Sequence, residues 1–303
     1  MKIAITGSTG LIGQALIPRL LAQGCEVIRF SRSRDPIGAV YWNPEGGEID
    51  QAALEGVDAI IHLAGEPVAS GRWTKAKKAR IRDSRVKGTQ LLAQTLARLQ
   101  KKPEVLLCGS AVGFYGDRSG ATMIEDSSPG EGFLAATCVE WEASAKPAED
   151  AGIRVVYLRT GIVLSPGGGA LGKMLPAFKF GLGGRLGSGK QYMSWIAMDD
   201  MVRGIEFALD QSSLRGPVNF TAPNPVTNAE FTNTLARVLR RPAFLPVPAL
   251  ALRAIFGEMA KEALLASTKV QPRKLLDSGF SFEYTMLESA LRHLLGTGEP
   301  HRG

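Results

Sequence analysis

Three glycines at spacings of three, Gly7, Gly10 and Gly13, stand between the short apolar run Ile3-Ala4-Ile5 and a stretch in which Ile12, Leu16 and Leu20 recur every fourth residue. That order reads as strand, tight turn and helix. Each glycine has its own physical task. Gly7 allows a turn that an L-residue resists. Gly10 lets a pyrophosphate approach the backbone, and Gly13 lets the helix lie close to the strand. The helix N-terminus then offers free N–H groups and a positive dipole end to an anion. A glycine-rich turn without a ligand is the plain alternative, because glycines alone are a weak signal. Here a strand precedes the turn and a helix follows it, which favours nucleotide binding.

The second group lies at the end of the next strand, residues 26–30, where Ser31-Arg32-Ser33-Arg34 follow. An acidic residue at such a strand end grips the ribose 2′-hydroxyl of NAD, whereas an Arg accommodates the 2′-phosphate of NADP. Asp35 comes too late to serve, so the expected cofactor is NADP(H), with Ser31 and Arg32 as the contacts. The plain alternative leaves both Arg32 and Arg34 as solvated loop charges.

These residues need a scaffold, and the rest of the chain supplies one. Residues 40–42, 58–65, 105–108 and 154–158 read as further strands. Helices are expected over 74–99, 133–151, 199–210, 228–240 and 285–295. Alternating strand and helix give an α/β fold, a Rossmann-type doubly wound parallel sheet. Ligands in such sheets sit at the C-terminal strand ends, where Gly7, Arg32, Ala64, Ser110 and Thr160 fall. The Leu63-Ala64-Gly65 end puts bare backbone beside the cofactor, while His62, inside its strand, reads as a packed core residue. From Ser165 the character changes, with Gly167-Gly168-Gly169 read as a flexible loop. The expected division is therefore a nucleotide-binding domain over 1–165, with return segments from 190–225. A smaller C-terminal α/β region over 166–303 would close over the cofactor. Gly184-Arg185-Leu186-Gly187-Ser188-Gly189-Lys190 mimics a phosphate loop, but Gln191 stands where Ser or Thr must hold magnesium.

The 303 residues are 45% hydrophobic and 21% charged, the balance of a globular protein with a sizeable core. Cys25, Cys108 and Cys138 have no metal-like spacing; a reduced cytosol, no disulfide framework and no metal are expected. Nothing at the N-terminus reads as a signal region, and the apolar stretch 243–255 is broken by Pro246, Pro248 and Arg253. A cytoplasmic protein without a membrane partner is expected. The net charge of +7 raises nucleic acid as a partner. The basic start of the 74–99 helix carries no interleaved aromatics and no recognised motif, so a solvated face is favoured over nucleic acid.

On Gly7 to Gly13, His62-Leu63-Ala64-Gly65, Gly88-Thr89, Ser110 to Gly116, Leu158-Arg159 and Trp195 to Asp200, the chain resembles the extended short-chain dehydrogenase/reductases, the nucleoside-diphosphate-sugar epimerases and dehydratases. Gly113-Phe114-Tyr115-Gly116, Glu140-Trp141-Glu142-Ala143, Leu158 to Leu164 and Gly181 to Gly184 resemble more closely an atypical epimerase-like family ending in a domain of unknown function. The resemblance implies a dinucleotide site made of Gly7, Thr9, Gly10, Leu11, Ile12, Gly13, Ser31, Arg32, Leu63, Ala64, Gly65, Arg85, Ser110, Thr160 and Val163. Arg85 replaces the family's usual Asn and would reach the cofactor. Ser110 matches the catalytic Ser, and Tyr115 is the candidate to take over the proton transfer, so these two are the expected catalytic residues. The usual catalytic Tyr and Lys fall on Leu134 and Cys138, which cannot do that work. Tyr192, Glu142 and Lys146 are the other titratable groups near the expected site.

Two functions follow. One is an NADP(H)-dependent oxidoreductase or epimerase with a rearranged acid/base, acting on a small molecule such as a nucleotide sugar. The other is a non-catalytic NADP(H) sensor or interaction scaffold, linked through the resemblance to cell division. A homodimer is the assembly to test.

Overall fold

The computed structural model describes residues 1–33 and 39–297. The first half runs β1 (Lys2–Thr6), α1 (Leu11–Ala22), β2 (Glu26–Ser31), β3 (Ala39–Asn43), β4 (Glu48–Ile49), β5 (Ala59–His62), α2 (Lys75–Arg98) and β6 (Val105–Ala111). After β7 (Thr122–Met123) come α3 (Phe133–Ala143), α4 (Lys146–Asp150), β8 (Arg154–Thr160), β9 (Ile162–Leu164) and α5 (Gly169–Lys179). β10 (Tyr192–Met193), β11 (Trp195–Ala197), α6 (Met198–Asp210) and β12 (Gly216–Phe220) follow. The chain then adds β13 (Val226–Thr227), α7 (Asn228–Leu239), α8 (Ala249–Phe256), β14 (Lys269–Val270), α9 (Arg273–Asp277) and α10 (Leu287–Leu294).

The central sheet has the order β12-β8-β6-β5-β1-β2-β3-β4, parallel except for the β3–β4 pair. The chain winds outward from β1 through β2 and β3, then returns to β5 and winds the other way. That reversal leaves a crevice between the ends of β1 and β5. Both faces are covered. Ile3 and Ile5 pack on one side with α1 and α6, and Ala4 and Ile60 pack on the other with Leu92 and Leu96 of α2. Near-continuous apolar runs are what such strands require. A further core around Trp195, Phe231, Leu235 and Leu291 gathers α5, α7 and α10. Asp200, buried at the start of α6, accepts 2.8 Å bonds from the Glu283 and Tyr284 amides and so ties the C-terminal segment to α6.

Two expectations need correction. Residues 133–151 are two helices, because Pro147 has no N–H to continue α3 and instead enters the first turn of α4. The loop at Gly167 and Gly168 is present, but it leads directly into an unexpected helix, α5, whose Leu171, Leu175 and Phe178 are buried. The glycines concealed the spacing of these three residues. The phosphate-loop mimic is followed by β10 rather than a helix, so it offers no helical N-terminus.

His62 lies at the core of this arrangement. Thr6 Oγ1 accepts the Leu63 and Ala64 amides at 3.1 Å, which leaves its proton for His62 Nδ1 at 2.7 Å. His62 Nε2 then donates to Thr89 Oγ1 at 3.0 Å, which also accepts the Trp141 indole N–H at 2.9 Å. The ring is neutral, and burial lowers its pKa to about 4. The folded value lies below the unfolded one, so stability is fully present above about pH 6.5 and falls as the pH drops toward 4. The loss amounts to about 3 kcal/mol. Urea denaturation of the native chain and a His62→Gln variant should show a stability difference that shrinks as the pH is lowered through this window. A difference independent of pH would refute the assignment.

Candidate functional site

Gly7 has φ +69°, and a Cβ built on it would lie 2.8 Å from the Leu63 carbonyl carbon. The Gly10 amide donates to the Gly7 carbonyl at 2.9 Å and closes the turn. A Cβ on Gly13 would lie 2.4 Å from that same carbonyl oxygen. Gly10 caps α1 without any side-chain bond, and the first turn contains no acidic residue. The N–H groups of that turn are left for an anion. Beside them is a 160 Å³ cleft lined by Gly7, Gly10, Leu11, Ile12, Gly13, Leu63 and Val163. Gly168 and Gly169 lie against the Leu11 side chain and cover it from the β9 side. Thr9 is exposed in the turn, and its carbonyl accepts the Gln14 side-chain amide at 2.9 Å.

Ser31 ends β2 and accepts the Ser33 amide at 3.1 Å, and Arg32 beside it is exposed. Arg34 and Asp35 lie outside the described residues. At the end of β5, the Arg85 guanidinium lies on Gly65, 3.1 Å from where a Cβ would stand. It donates to the Glu66 and Ile81 carbonyls at 3.0 Å and stacks 5.0 Å from the Trp141 ring. Burial lowers its pKa. Arg85 therefore belongs to the crevice and not to the solvated face of α2. The other cations of that helix are largely paired. Lys77 is buried against Glu66 at 2.6 Å, Lys78 meets Glu258 at 2.8 Å, and Arg82 meets Glu140 at 2.7 Å. A face neutralised in this way gives little support to a nucleic-acid reading.

The two residues expected to do chemistry are both committed elsewhere. Ser110 donates to Glu142 Oε1 at 2.6 Å. Arg159 grips that carboxylate with two bonds, 2.8 and 2.9 Å long. Arg159 Nη1 also donates to Tyr115 OH at 3.0 Å and to the Glu125 carbonyl at 3.0 Å. Tyr115 OH donates to Asn219 Oδ1 at 2.7 Å, and the ring is fully buried. Tyr115 is thus corrected from a candidate acid/base to a strut beneath the sheet end, and burial pushes its pKa up. Glu142 is the ionic anchor of the same network. Lys146 pairs with Asp150 in solvent. Tyr192, half-buried in β10, lies under the Lys269 ammonium at 4.9 Å.

The two positions on which the resemblance puts the Tyr–Lys pair have apolar surroundings. Leu134 is half-buried and packs on Gly113. Cys138 is buried, and burial pushes its thiol up to about 12. Thr160 ends β8 with its hydroxyl donated to the Leu158 carbonyl at 3.0 Å, and Val163 lines the glycine cleft.

Leu134, Gly113 and Ala135 form one wall of a second cleft, of about 480 Å³, closed by Asp117 and Arg118 and by Lys261, Glu262, Ala266 and Thr268 from the C-terminal region. Glu262 accepts the Phe133 and Leu134 amides at 3.0 and 2.8 Å and so caps α3 from a distant segment. Sequence reading missed this contact. Its signal is negative: α3 begins after Gly132 with no capping side chain of its own. Among the described residues, no group of three or more His, Cys, Asp or Glu is placed to hold a metal.

Residues 3–220 match the model of the NAD dependent epimerase/dehydratase family. The chain belongs to this family. Residues 247–294 match a domain of unknown function, DUF1731, as the sequence resemblance implied. Among curated members of the epimerase family, a protein of Mycobacterium bovis is 47% identical over 291 residues, covering 95% of this chain and 96% of its own length. The human epimerase family protein SDR39U1 is 36% identical over 298 residues, covering 97% and 100%. A crystal structure of human SDR39U1 (isoform 2) with NADPH superposes with a TM-score of 0.90 at 35% identity, covering 98% of this chain and 99% of that one. A UDP-glucose 4-epimerase of Thermus thermophilus, 20% identical with a TM-score of 0.75, shares the fold.

Proposed function

We propose that this chain binds NADP(H) at the glycine turn and uses it as an oxidoreductase on a small molecule held in the cleft against Leu134, without the Tyr–Lys proton transfer of sugar epimerases. The dinucleotide fits: Gly7, Gly10 and Gly13 line an open cleft without side chains, and the uncapped N-terminus of α1 borders it. NADPH bound to the human relative supports the choice of cofactor. The observation that carries the rest is the 480 Å³ cleft abutting Leu134, at the position where the family's Tyr would stand. Bound at the glycine turn, the cofactor would supply hydride chemistry. Ser110 gives its proton to Glu142, so any part it plays is as an acceptor. Arg85 holds the β5 end in place for the ribose side of the dinucleotide.

A second reading is a dinucleotide sensor. It is favoured by the commitment of Ser110, Tyr115 and Glu142 to one internal network. NADPH oxidation with a panel of small carbonyl and quinone acceptors separates the two readings. Acceptor-dependent oxidation that saturates supports the oxidoreductase, and tight NADPH binding without any oxidation supports the sensor. Epimerisation of nucleotide sugars at roughly ordinary rates of 1–10³ s⁻¹ would show that another group has replaced the missing pair.

Two cofactor variants give graded outcomes. Arg32→Asp should weaken NADPH while sparing NADH, since it exchanges a phosphate partner for a repelling charge. Equal loss for both dinucleotides in calorimetry removes Arg32 from the site. Arg85→Ala should cost about 1.5–3 kcal/mol of NADPH binding if its guanidinium meets the ribose or phosphate directly. An unchanged affinity in a folded variant confines Arg85 to bracing Glu66.

A further inference from the structure

The C-terminal side of the molecule carries a face without acidic residues. Residues 160–198 contain no Asp or Glu, and neither do residues 231–257, although together they carry eight Lys and Arg. The structure brings parts of these two segments side by side. The Leu245 amide donates to the Gly183 carbonyl at 3.3 Å, and the Val247 amide to the Arg185 carbonyl at 2.9 Å. Pro242 packs on Gly181. The paired segments expose large apolar side chains at their tips: Phe180 is 81% accessible, Phe244 71% and Leu250, on the adjoining α8, 78%. Leu182 and Leu245 stand beside them, also exposed. Lys179, Arg185, Arg240, Arg241 and Arg253 each stand within four residues along the chain of one of these apolar side chains and are exposed. The carboxylates that flank the second segment are paired, Glu258 with Lys78 and Glu230 within the cap of α7, and Glu288 takes Arg237.

We propose that this face docks the protein on an anionic lipid surface, with Phe180 and Phe244 entering the headgroup layer and the Lys and Arg side chains meeting the lipid phosphates. Protruding apolar tips flanked by charges of one sign match a planar anionic surface. A protein partner recognised by complementary charge would be acidic, and retention on polyglutamate without vesicle binding is the outcome that would reveal it. A second copy of the chain is disfavoured, because two such faces would set cation against cation. Among the described residues no helix is long and apolar enough to cross a membrane, so the contact is peripheral. The expectation of no membrane partner rested on the lack of a spanning run and does not bear on a surface contact.

The test is co-sedimentation of the full chain with vesicles of phosphatidylcholine, and with vesicles in which about a quarter of the lipid is phosphatidylglycerol. Binding to the anionic vesicles alone, weakened by salt, is expected. The pair Arg240→Glu and Arg241→Glu should abolish it, and the pair Phe180→Ser and Phe244→Ser should weaken it by about tenfold or more. Lys101→Glu with Lys102→Glu makes the same charge change on another exposed surface and should leave binding in place. NADPH affinity and melting temperature verify that each variant is folded. Equal binding to both vesicles, equal loss in the Lys101/Lys102 control, or retention on immobilised polyglutamate with no vesicle binding would each overturn the proposal.

Discussion

Gly13→Ala should lower NADPH affinity by about 100-fold or more and reduce the melting temperature, although alanine is the better helix former by about 1 kcal/mol. The added methyl would sit 2.4 Å from the Gly7 carbonyl oxygen and 2.9 Å from Ser8 Cα. Both are backbone atoms and cannot rotate aside. Forced overpacking costs about 1–3 kcal/mol and outweighs the gain in propensity. The remaining strain moves the first turn of α1 away from the pyrophosphate position. Breaking a charge-assisted hydrogen bond there costs about 1.5–3 kcal/mol, so breaking one or two of them accounts for the expected drop. Titration calorimetry and thermal melting measure the two effects. Wild-type affinity in a folded Gly13→Ala protein would mean that the dinucleotide does not sit on this turn.

Arg159→Met should destabilise the fold by about 3–5 kcal/mol, the usual result of stripping one partner from a buried ion pair. Its guanidinium makes two bonds to Glu142, one to Tyr115 and one to the Glu125 carbonyl, and it lies 3.5 Å from the Phe114 ring centroid. The variant leaves the Glu142 carboxylate in the interior with Ser110 as its remaining partner. Adding Glu142→Leu removes the orphaned charge and should recover about half of the loss or more, because an apolar pair can replace a buried ionic one. Urea denaturation of the single and double variants decides the matter. A loss below about 1 kcal/mol in Arg159→Met would place the pair among weak surface contacts.

The glycine turn and the parallel sheet were legible because both are local: the turn depends on backbone freedom over seven residues, and the strands on contiguous apolar runs. Pro147 was equally local, and its effect on the 133–151 helix could have been read from its missing N–H alone. The start of α5 was harder, since Gly167 to Gly169 lower helix propensity where burial of Leu171, Leu175 and Phe178 restores the helix. Tyr115 could not be placed from sequence. Its role depends on Asn219, 104 residues away, and on Arg159, 44 residues away.

The sequence alone determined the fold class and the glycine turn at Gly7 to Gly13, and it raised the expectations of NADP(H) contacts at Ser31 and Arg32 and, through the resemblance, of a lost Tyr–Lys pair at Leu134 and Cys138. The first two follow from backbone freedom and contiguous apolar runs. Only the tertiary structure decided that Arg85 lies on Gly65, that Ser110 belongs to Glu142, that Glu262 caps α3 across 128 residues, and that two segments without carboxylates form one face. Those are distances between remote positions, and a spacing pattern carries no information about which distant side chain fills a hydrogen-bonding site.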